Sequence, residues 1–266
     1  MINFKRVRTI INKEWAEMFK NRLVLFTIVL LPLVFTALPL VILFVIGPST
    51  GSAGASSADV PAQFALACGN LPAADCMQIY LLNEFLLLYL MMPVIIPITI
   101  AAYSIVGEKT THSLEPLLAT PITTEELLLG KGLAAVIPGV IATVGAFALF
   151  LIIAPFSGIS SAVRHYLLGP TWLLAILLVG PLLAVAAVNF AMFVSSRVSD
   201  PRVAEQVSSI LILPVLILLF TQIAGVVTIN VPSVLITAVV LVGADIALVF
   251  AGARLFQRET ILTRWK

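Results

Sequence analysis

The chain has 266 residues, of which 61% are hydrophobic and only 11% are charged. This composition excludes a water-soluble domain, because so much apolar surface would remain exposed and drive aggregation. It predicts an all-α polytopic membrane protein whose apolar helices cross the bilayer. The formal net charge of +2 gives no indication of a nucleic-acid partner.

Residues 3–20 have the pattern of a basic amphipathic helix. At 100° per residue, one side of this helix is apolar and the other is basic and polar. The apolar side comprises Phe4, Val7, Ile11, Trp15, Met18 and Phe19. We expect this interface helix to lie in the headgroup plane, with Phe4, Trp15 and Phe19 at the acyl boundary. The alternative is a solvated helix that packs on a partner protein.

Residues 23–46 are the first predicted span, because an uncharged stretch of this length can cross the hydrocarbon core. The charged region before it and the apolar run itself are too long for a cleaved signal peptide. Five further spans are predicted at residues 81–106, 133–155, 170–194, 207–227 and 234–255. Together the six spans form a single transmembrane domain.

Residues 47–79 form a predicted loop that is rich in Gly, Ser, Ala and Pro and carries no Lys or Arg. It contains both cysteines of the chain, Cys68 and Cys76. Two cysteines cannot supply the four ligands of a structural zinc site. They would form a disulfide if the loop lies on an oxidising side of the membrane, and two free thiols are the alternative.

Residues 108–131 are a polar stretch between the second and third spans. Ser113 can cap a short helix, which ends at Thr120 because the residue before a proline is pushed out of the α region. The apolar face of this helix comprises Leu114, Leu117 and Leu118. Thr123 and Glu126 have the spacing of a capping box for the next helix. Since a helix of about two turns is unstable alone in water, we expect it to dock on a partner.

The basic residues are distributed unevenly between the two sides of the membrane. Of the 15 Lys and Arg residues, all but Arg164 fall in the terminal segments, in residues 108–131 or in the Arg197–Glu205 turn. With six spans these segments share one side, which the positive-inside rule makes the cytoplasm. We therefore predict a multi-pass protein of the plasma (inner) membrane, with both termini cytoplasmic and the loop at residues 47–79 outside.

The sequence shows no pattern for catalysis, metal binding or nucleotide binding. The two histidines, His112 and His165, fall on opposite sides of the predicted membrane, which excludes a His-based triad or metal pair. The sequence that ends at Lys131 resembles a P-loop, but Glu125 stands where the first glycine belongs. We therefore expect no catalytic residue, no metal site and no bound cofactor in this chain.

Two polar residues within the predicted spans are candidates for an intramembrane site. Asp245 lies near the middle of the sixth span, where an ionised carboxyl is costly and often functional. The alternative is a carboxyl that is protonated or hydrogen-bonded to a neighbouring helix. Asn189, in the fourth span, is better interpreted as a hydrogen-bonding group between helices than as a ligand.

Residues 108–131 resemble the signature of type-2 ABC transporter permeases, the membrane subunits of ABC exporters, in the run E-K-x-x-x-S-L-E-P-L-L-A-T-P-I-T-T-E-E-L-L-L-G-K. The resemblance extends to the N-terminal amphipathic helix, the six spans and the tail R-L-F-Q-R-E-T-I-L. It implies that Leu114–Thr120, which includes Glu115, is a coupling helix seated in a cleft of a nucleotide-binding subunit. Residues 3–20 would touch both lipid and that ATPase, and Glu108 would belong to a polar relay between the membrane and the ATPase.

The resemblance also implies an assembly. Two six-span halves, the second being another copy or a homologous permease, would enclose one pathway with an ATPase on each half. ATP and Mg would bind to these separate subunits, whose closure would rock the spans from inward-facing to outward-facing. The short Thr228–Ser233 turn leaves little room for the outer helices that cap the pathway in family members handling polymers or sterols.

These patterns together predict the permease subunit of an ABC exporter with an unidentified substrate. One alternative is an ion-coupled secondary transporter or channel, which would depend on intramembrane charges such as Asp245. A second alternative is an assembly or anchoring protein, in which Glu115 and the leucine face bind a partner without transport.

Overall fold

The computed structural model of the protein describes residues 3–46, 68, 71–110 and 122–255. Every regular element in these ranges is helical, which confirms the predicted all-α class. The helices of the first half are α1 (Phe4–Met18), α2 (Arg22–Ile46), α3 (Ala73–Thr110) and α4 (Thr124–Ile153), which continues as a 3₁₀ turn (Ala154–Ser157).

The second half is built from shorter helical pieces that join into three spans. The fourth span consists of α5 (Ser161–Leu167), α6 (Pro170–Leu174), a π-helical segment (Ala175–Val179) and α7 (Gly180–Ser195). The fifth span consists of α8 (Pro201–Ser208), a 3₁₀ turn (Ser209–Leu211) and α9 (Ile212–Ile223). The sixth span is the single helix α10 (Val231–Leu255). Six helical stretches of the described residues are long and apolar enough to cross a membrane, as a multi-pass membrane protein requires.

The central helix of the bundle is α3. In an 18-residue apolar stretch of α3, 83% of the residues are buried, against 22% in α2 and 17% in α10. α3 packs most extensively against α2, α4, α7 and the span formed by α8 and α9. In its middle, the ring of Tyr89 lies with its centroid 6.0–6.2 Å from those of Phe147, Phe150 and Trp172. This packing makes α3 the element against which the other spans are arranged.

Several helices begin earlier in the chain than the predicted spans, and two of them begin inside a predicted loop or turn. The first is α3, which begins at Ala73, inside the predicted loop, with Asp75 favourably placed in its first turn. The fifth span begins at Pro201, inside the predicted Arg197–Glu205 turn, and the side chain of Asp200 caps it by accepting a backbone N–H at 2.7 Å. The polar first turns of both helices explain the difference, because the spans were predicted from apolar runs.

The bundle has two different ends. The α1 end carries α1, the last turn of α3 and the start of α4, and residues 111–121 between these two helices lie outside the described residues. The disulfide end carries a bond between Cys68 and Cys76, whose Cα atoms are 5.7 Å apart. Cys76 lies at the start of α3, so the long α3 helix separates the disulfide from the α1 end. Most of the predicted loop at residues 47–79 and the tail at residues 256–266 also lie outside the described residues.

Candidate functional site

At the α1 end, α1 packs closely against the first turns of α4. Val7 and Ile10 of α1 are buried. A Cβ atom at Gly130 of α4 would lie 2.7 Å from Cγ2 of Ile10, so glycine allows the two helices to approach without a shift. Trp15 adds a hydrogen bond from its Nε1 to the carbonyl oxygen of Ala134 at 3.0 Å. The amphipathic helix is therefore attached directly to the transmembrane bundle.

Next to this contact, four charged side chains and one serine form a polar cluster that we call the junction cluster. Its members are Lys13, Glu14, Ser104, Glu108 and Lys131. The Nζ atom of Lys131 lies 2.8 Å from Oε1 of Glu14 and 2.8 Å from Oε2 of Glu108. One lysine of α4 thus joins α1 to the last turn of α3.

Ser104 and Lys13 extend the hydrogen bonding of the junction cluster. The hydroxyl of Ser104 accepts from Nζ of Lys131 at 2.8 Å and donates to Oε2 of Glu14 at 2.6 Å. Lys13 donates from its ammonium group to Glu108. The side chains of Glu14, Glu108 and Lys131 are 5–6% exposed, whereas that of Lys13 is 37% exposed. Two lysines therefore balance two glutamates in a site that is mostly closed to water.

The junction cluster shifts the pKa values of its α1 members. Burial by itself raises the pKa of Glu14, but the charge of Lys131 and the hydrogen bonds from Lys131 and Ser104 lower it below its usual value. Burial lowers the pKa of Lys13, but its hydrogen bond to Glu108 and the nearby carboxylates raise it to about 12. Both side chains are therefore charged at neutral pH. Removing one partner from such a buried pair typically costs about 3–5 kcal/mol, so the cluster favours a fixed arrangement of α1, α3 and α4.

A second polar contact holds the first residues of α1 against the start of α4. Glu126 forms the predicted capping box with Thr123. Its carboxylate also accepts from the backbone N–H of Asn3 at 2.8 Å and lies 3.4 Å from Nη1 of Arg6. The Glu126 side chain is 1% exposed. The helix start that follows residues 111–121 is thereby tied to the beginning of α1.

Of the predicted coupling residues, the structure describes Glu108, which belongs to the junction cluster. The others lie outside the described residues, namely Ser113, Leu114, Glu115, Leu117, Leu118 and Thr120. The junction cluster precedes this segment at Glu108 and follows it at Lys131, with Glu126 between. The segment is thus bracketed by contacts to α1 on both sides.

The predicted interface residues of α1 have different surroundings. Trp15 packs on the core of the bundle, whereas Phe4 and Phe19 are 82% and 58% exposed. The buried side of α1 comprises Val7, Ile10, Glu14 and Met18. The buried side therefore shares Val7 and Met18 with the predicted apolar face but includes Glu14 in place of Phe4 and Phe19. Glu14 can be buried there because Lys131 of α4 compensates its charge.

The predicted intramembrane residues do not belong to the junction cluster. Asp245 is 7% exposed, and neither of its carboxyl oxygens has a hydrogen-bond partner among the described residues. The side chain of Asn189 donates to the carbonyl oxygen of Val185 in its own helix at 2.9 Å, rather than to a neighbouring helix. Within the ranges that the structure describes, no group of three His, Cys, Asp or Glu could hold a metal ion.

Glu14 and Ser104 were missed by sequence reasoning, and Lys131 was considered only as a cytoplasmic basic residue, as the end of the permease signature and within a rejected P-loop pattern. A signal for them is present in the sequence. Glu14 lies four residues after Ile10 on one side of the amphipathic helix, Ser104 lies four residues before Glu108, and Lys131 begins an apolar run. A charge on the buried side of a helix requires a partner, but the sequence alone does not say which one.

Comparison with known proteins identifies the family of the chain. The family described as ABC-2 family transporter protein matches residues 8–259, which include most of α1 and all six candidate spans. No individual curated protein is significantly similar to the chain. The match covers nearly the whole sequence, and the chain therefore belongs to the ABC-2 transporter family, whose members are membrane permeases of ABC transporters.

Proposed function

We propose that this permease is the membrane subunit of an ABC exporter and that a separate ATPase subunit hydrolyses the ATP that drives it. The family match supports the permease, and the resemblance of residues 108–131 to a coupling signature supports the ATPase contact. The observation that carries the coupling role is the junction cluster, because it ties α1, α3 and α4 together on both sides of residues 111–121.

The contacts of the junction cluster suggest how a movement of residues 111–121 would reach the membrane. This segment follows α3, the most buried of the candidate spans, and precedes α4, which is attached to α1 at Gly130 and Glu126. Separating Lys131 from its two glutamates would leave buried charges unpaired. A partner that displaces the segment would therefore move α1, α3 and α4 together, instead of distorting the connection locally.

In this proposal the α1 end faces the cytoplasm, where ATP is available, and the protein resides in the plasma (inner) membrane. The segments that the six-span prediction assigns to this side carry nearly all of the Lys and Arg residues, which favours a cytoplasmic location. The disulfide between Cys68 and Cys76 lies at the opposite end and requires an oxidising compartment. The charge distribution and the disulfide support the same orientation.

The proposed complex contains a second permease, either another copy of this chain or a homologous one, and an ATPase on each, with ATP and Mg bound by the ATPases. In the single chain, only 22% of the residues in the apolar stretch of α2 are buried, and only 17% of those in the stretch of α10. These surfaces are available to lipid or to the second permease. The family match does not favour the ion-coupled alternative.

The double variant L117D/L118D tests the ATPase contact. Aspartates buried in the cleft of an ATPase without partners would prevent docking, while insertion of the six apolar spans would be unchanged. Purification of the tagged chain from its native membrane should recover a subunit with Walker A and Walker B motifs, and the double variant should lose it. The control L71D places a single Leu→Asp substitution at the disulfide end and should retain the ATPase. Undiminished recovery with L117D/L118D, or complexes of the unsubstituted chain that never contain an ATPase, would contradict the proposal.

A further inference from the structure

An apolar cavity of about 400 Å³ lies where the C-terminal turn of α1 meets α2 and α4. All of its lining residues are apolar. Its walls include Trp15 and Phe19 of α1, Ile28 and Pro32 of α2, and Ile141 and Gly145 of α4. A cavity of this size is large enough for a ligand, but its lining offers water no polar partners.

The cavity extends from α1 into the transmembrane part of the bundle. Along α4 its wall runs from Ile137 to Ala146, which is about 14 Å of helix. Along α2 it begins at Ile28, one to two turns inside the start of that helix. Both helices lead away from the α1 end. An elongated apolar space with this position fits one hydrocarbon chain, and leaving it empty would forfeit dispersion contacts along its walls.

Two basic residues lie in the short connection between the α1 and α2 residues that line the cavity. Lys20 directly follows the lining residue Phe19, and Arg22 begins α2. Both are exposed, and neither forms an ion pair within the described residues. By contrast, Lys13 and Arg6 of α1 are paired with glutamates. Two cations that have no ion-pair partner among the described residues, next in the chain to an apolar cavity, are complementary to a negative headgroup joined to an acyl chain.

We propose that this cavity binds one acyl chain of an anionic phospholipid whose phosphate is held by Lys20 and Arg22. The headgroup charge provides the selectivity, because an acyl chain is already in apolar surroundings in the bilayer and gains only packing contacts in the cavity. The bound lipid fills the space between α1, α2 and α4. This site does not depend on the ATPase or on the exported substrate.

The variant Gly145→Leu tests the cavity by filling it. Gly145 lines the cavity, and a Cβ atom there has no neighbour within 4 Å, so a larger side chain can be attached at this position without a clash at its Cβ. Gly243→Leu is the matched control, because a Cβ atom at Gly243 of α10 is equally free and lies outside the cavity. Each full-length protein is equilibrated in bilayers of equal parts phosphatidylglycerol and phosphatidylcholine with identical acyl chains, and native mass spectrometry counts the lipids retained.

We expect the unsubstituted protein and G243L to retain one phosphatidylglycerol per chain, with roughly tenfold preference over phosphatidylcholine. G145L should retain at least about tenfold less phosphatidylglycerol, since the acyl chain no longer fits. Equal retention by G145L and the unsubstituted protein would overturn the site.

The headgroup contact is tested separately with the double variant K20Q/R22Q. This variant should lose the preference for phosphatidylglycerol, because both cations are neutralised. The control K5Q/R8Q removes the same charge from exposed positions near the start of α1 and should keep the preference. Retention of both lipids in equal amounts by the unsubstituted protein, or an unchanged preference in K20Q/R22Q, would overturn the anionic assignment.

A second measurement leaves the cavity unfilled and keeps the proposal testable if G145L does not fold. Trp15 lines the cavity, whereas Trp172 is fully buried in the core. In the same equimolar bilayers, one lipid at a time carries bromine on its acyl chains, and the quenching that Trp15→Phe removes is assigned to Trp15. Brominated phosphatidylglycerol should quench Trp15 more strongly than brominated phosphatidylcholine. Equal quenching by the two lipids would contradict the proposal.

Discussion

Two long apolar helices, α3 and α10, can each cross a membrane, and each contains a buried acidic residue, but the surroundings of these two residues differ. At the end of α3, Glu108 pairs with Lys13 and Lys131. In α10, Asp245 is also buried, yet its carboxyl oxygens have no hydrogen-bond partner among the described residues. Glu108 joins three helices, whereas the carboxyl group of Asp245 forms no hydrogen bond to any described helix. Two buried acidic residues on apolar helices therefore have different structural roles that depend on what surrounds them.

The difference has energetic consequences, because a buried charge is tolerated when it is paired and costly when it is alone. Removing a charge from the junction cluster should destabilise the protein by leaving its partners unpaired. Removing the charge of Asp245 should not, since no described group depends on it. The predictions below test this contrast, beginning with the largest effect.

Lys131→Met should produce the largest loss. It leaves Glu14 and Glu108 buried without their shared cation, and the free energy of unfolding should fall by about 3–5 kcal/mol. Denaturant unfolding of the purified protein in detergent measures this change. Lys5→Met removes an exposed lysine that forms no ion pair within the described residues, and it should change stability by less than about 0.5 kcal/mol.

The double variant K131M/E14Q provides a rescue. It removes one positive and one negative charge, which leaves Lys13 to pair with Glu108. The double variant should therefore be more stable than K131M alone. If K131M/E14Q loses as much stability as the sum of its single substitutions, the cluster does not act as a balanced set of charges.

The glycines Gly130 and Gly132 of α4 offer a matched pair. A Cβ atom at Gly130 would lie 2.7 Å from Ile10, whereas at Gly132 its nearest neighbour, Val188, would be 3.8 Å away. Gly130→Ala should cost about 1–3 kcal/mol by separating α1 from α4. Gly132→Ala should raise stability by up to about 1 kcal/mol through helix propensity. The rate of proteolysis in α1 and the free energy of unfolding are compared for the two variants. Equal values for G130A and G132A would show that the close approach of α1 to α4 is not required.

The isosteric substitutions Glu108→Gln and Asp245→Asn compare α3 with α10 directly. E108Q weakens the contacts with Lys13 and Lys131 and should cost about 1–3 kcal/mol. D245N should leave stability unchanged within about 0.5 kcal/mol or raise it, and ATP-dependent transport in vesicles should continue. Loss of transport in D245N with the ATPase still bound would support the ion-coupled alternative instead.

The smallest effect is expected from pH. The pKa of Glu14 lies below its usual value of 4.5, so its stabilising contribution is complete above pH 4.5 and is lost as the pH falls through the lower folded value. The pKa of Lys13 is raised from 10.5 to about 12, so its contribution is complete below pH 10.5 and is lost as the pH rises through about 12. The attachment of α1, followed by proteolysis, should therefore not change between pH 5 and 10 through these two groups. A transition near neutral pH would contradict this assignment.

Part of the fold could be predicted because it depends on local patterns. The amphipathic pattern of residues 3–20 predicted the helix α1, and the capping box of Thr123 and Glu126 is present at the start of α4. The start of α8 could also be predicted from the sequence, since Asp200 followed by Pro201 is a helix-start pattern. The predicted span begins later because the residues from Asp200 to Gln206 are mostly polar and lie outside the apolar run.

The contacts of the candidate site could not be predicted in the same way. Glu126 was identified from its capping pattern, but its bonds to Asn3 and Arg6 depend on α1 lying beside it. The junction cluster draws its residues from three parts of the chain, at Lys13, Glu108 and Lys131. A single sequence gives no pairing between such distant segments.

The sequence by itself determined that this chain is an all-α membrane protein with six apolar spans and a basic amphipathic helix before them. These properties follow from hydrophobic length, helical periodicity and the positions of Lys and Arg, which are all local or additive along the chain. Only the tertiary structure decided that α3 is the central span and that Lys131 pairs with Glu14 and Glu108. The physical reason is that burial and charge pairing depend on which distant segments meet. A single sequence does not distinguish a lysine exposed to water from a lysine in a buried ion pair.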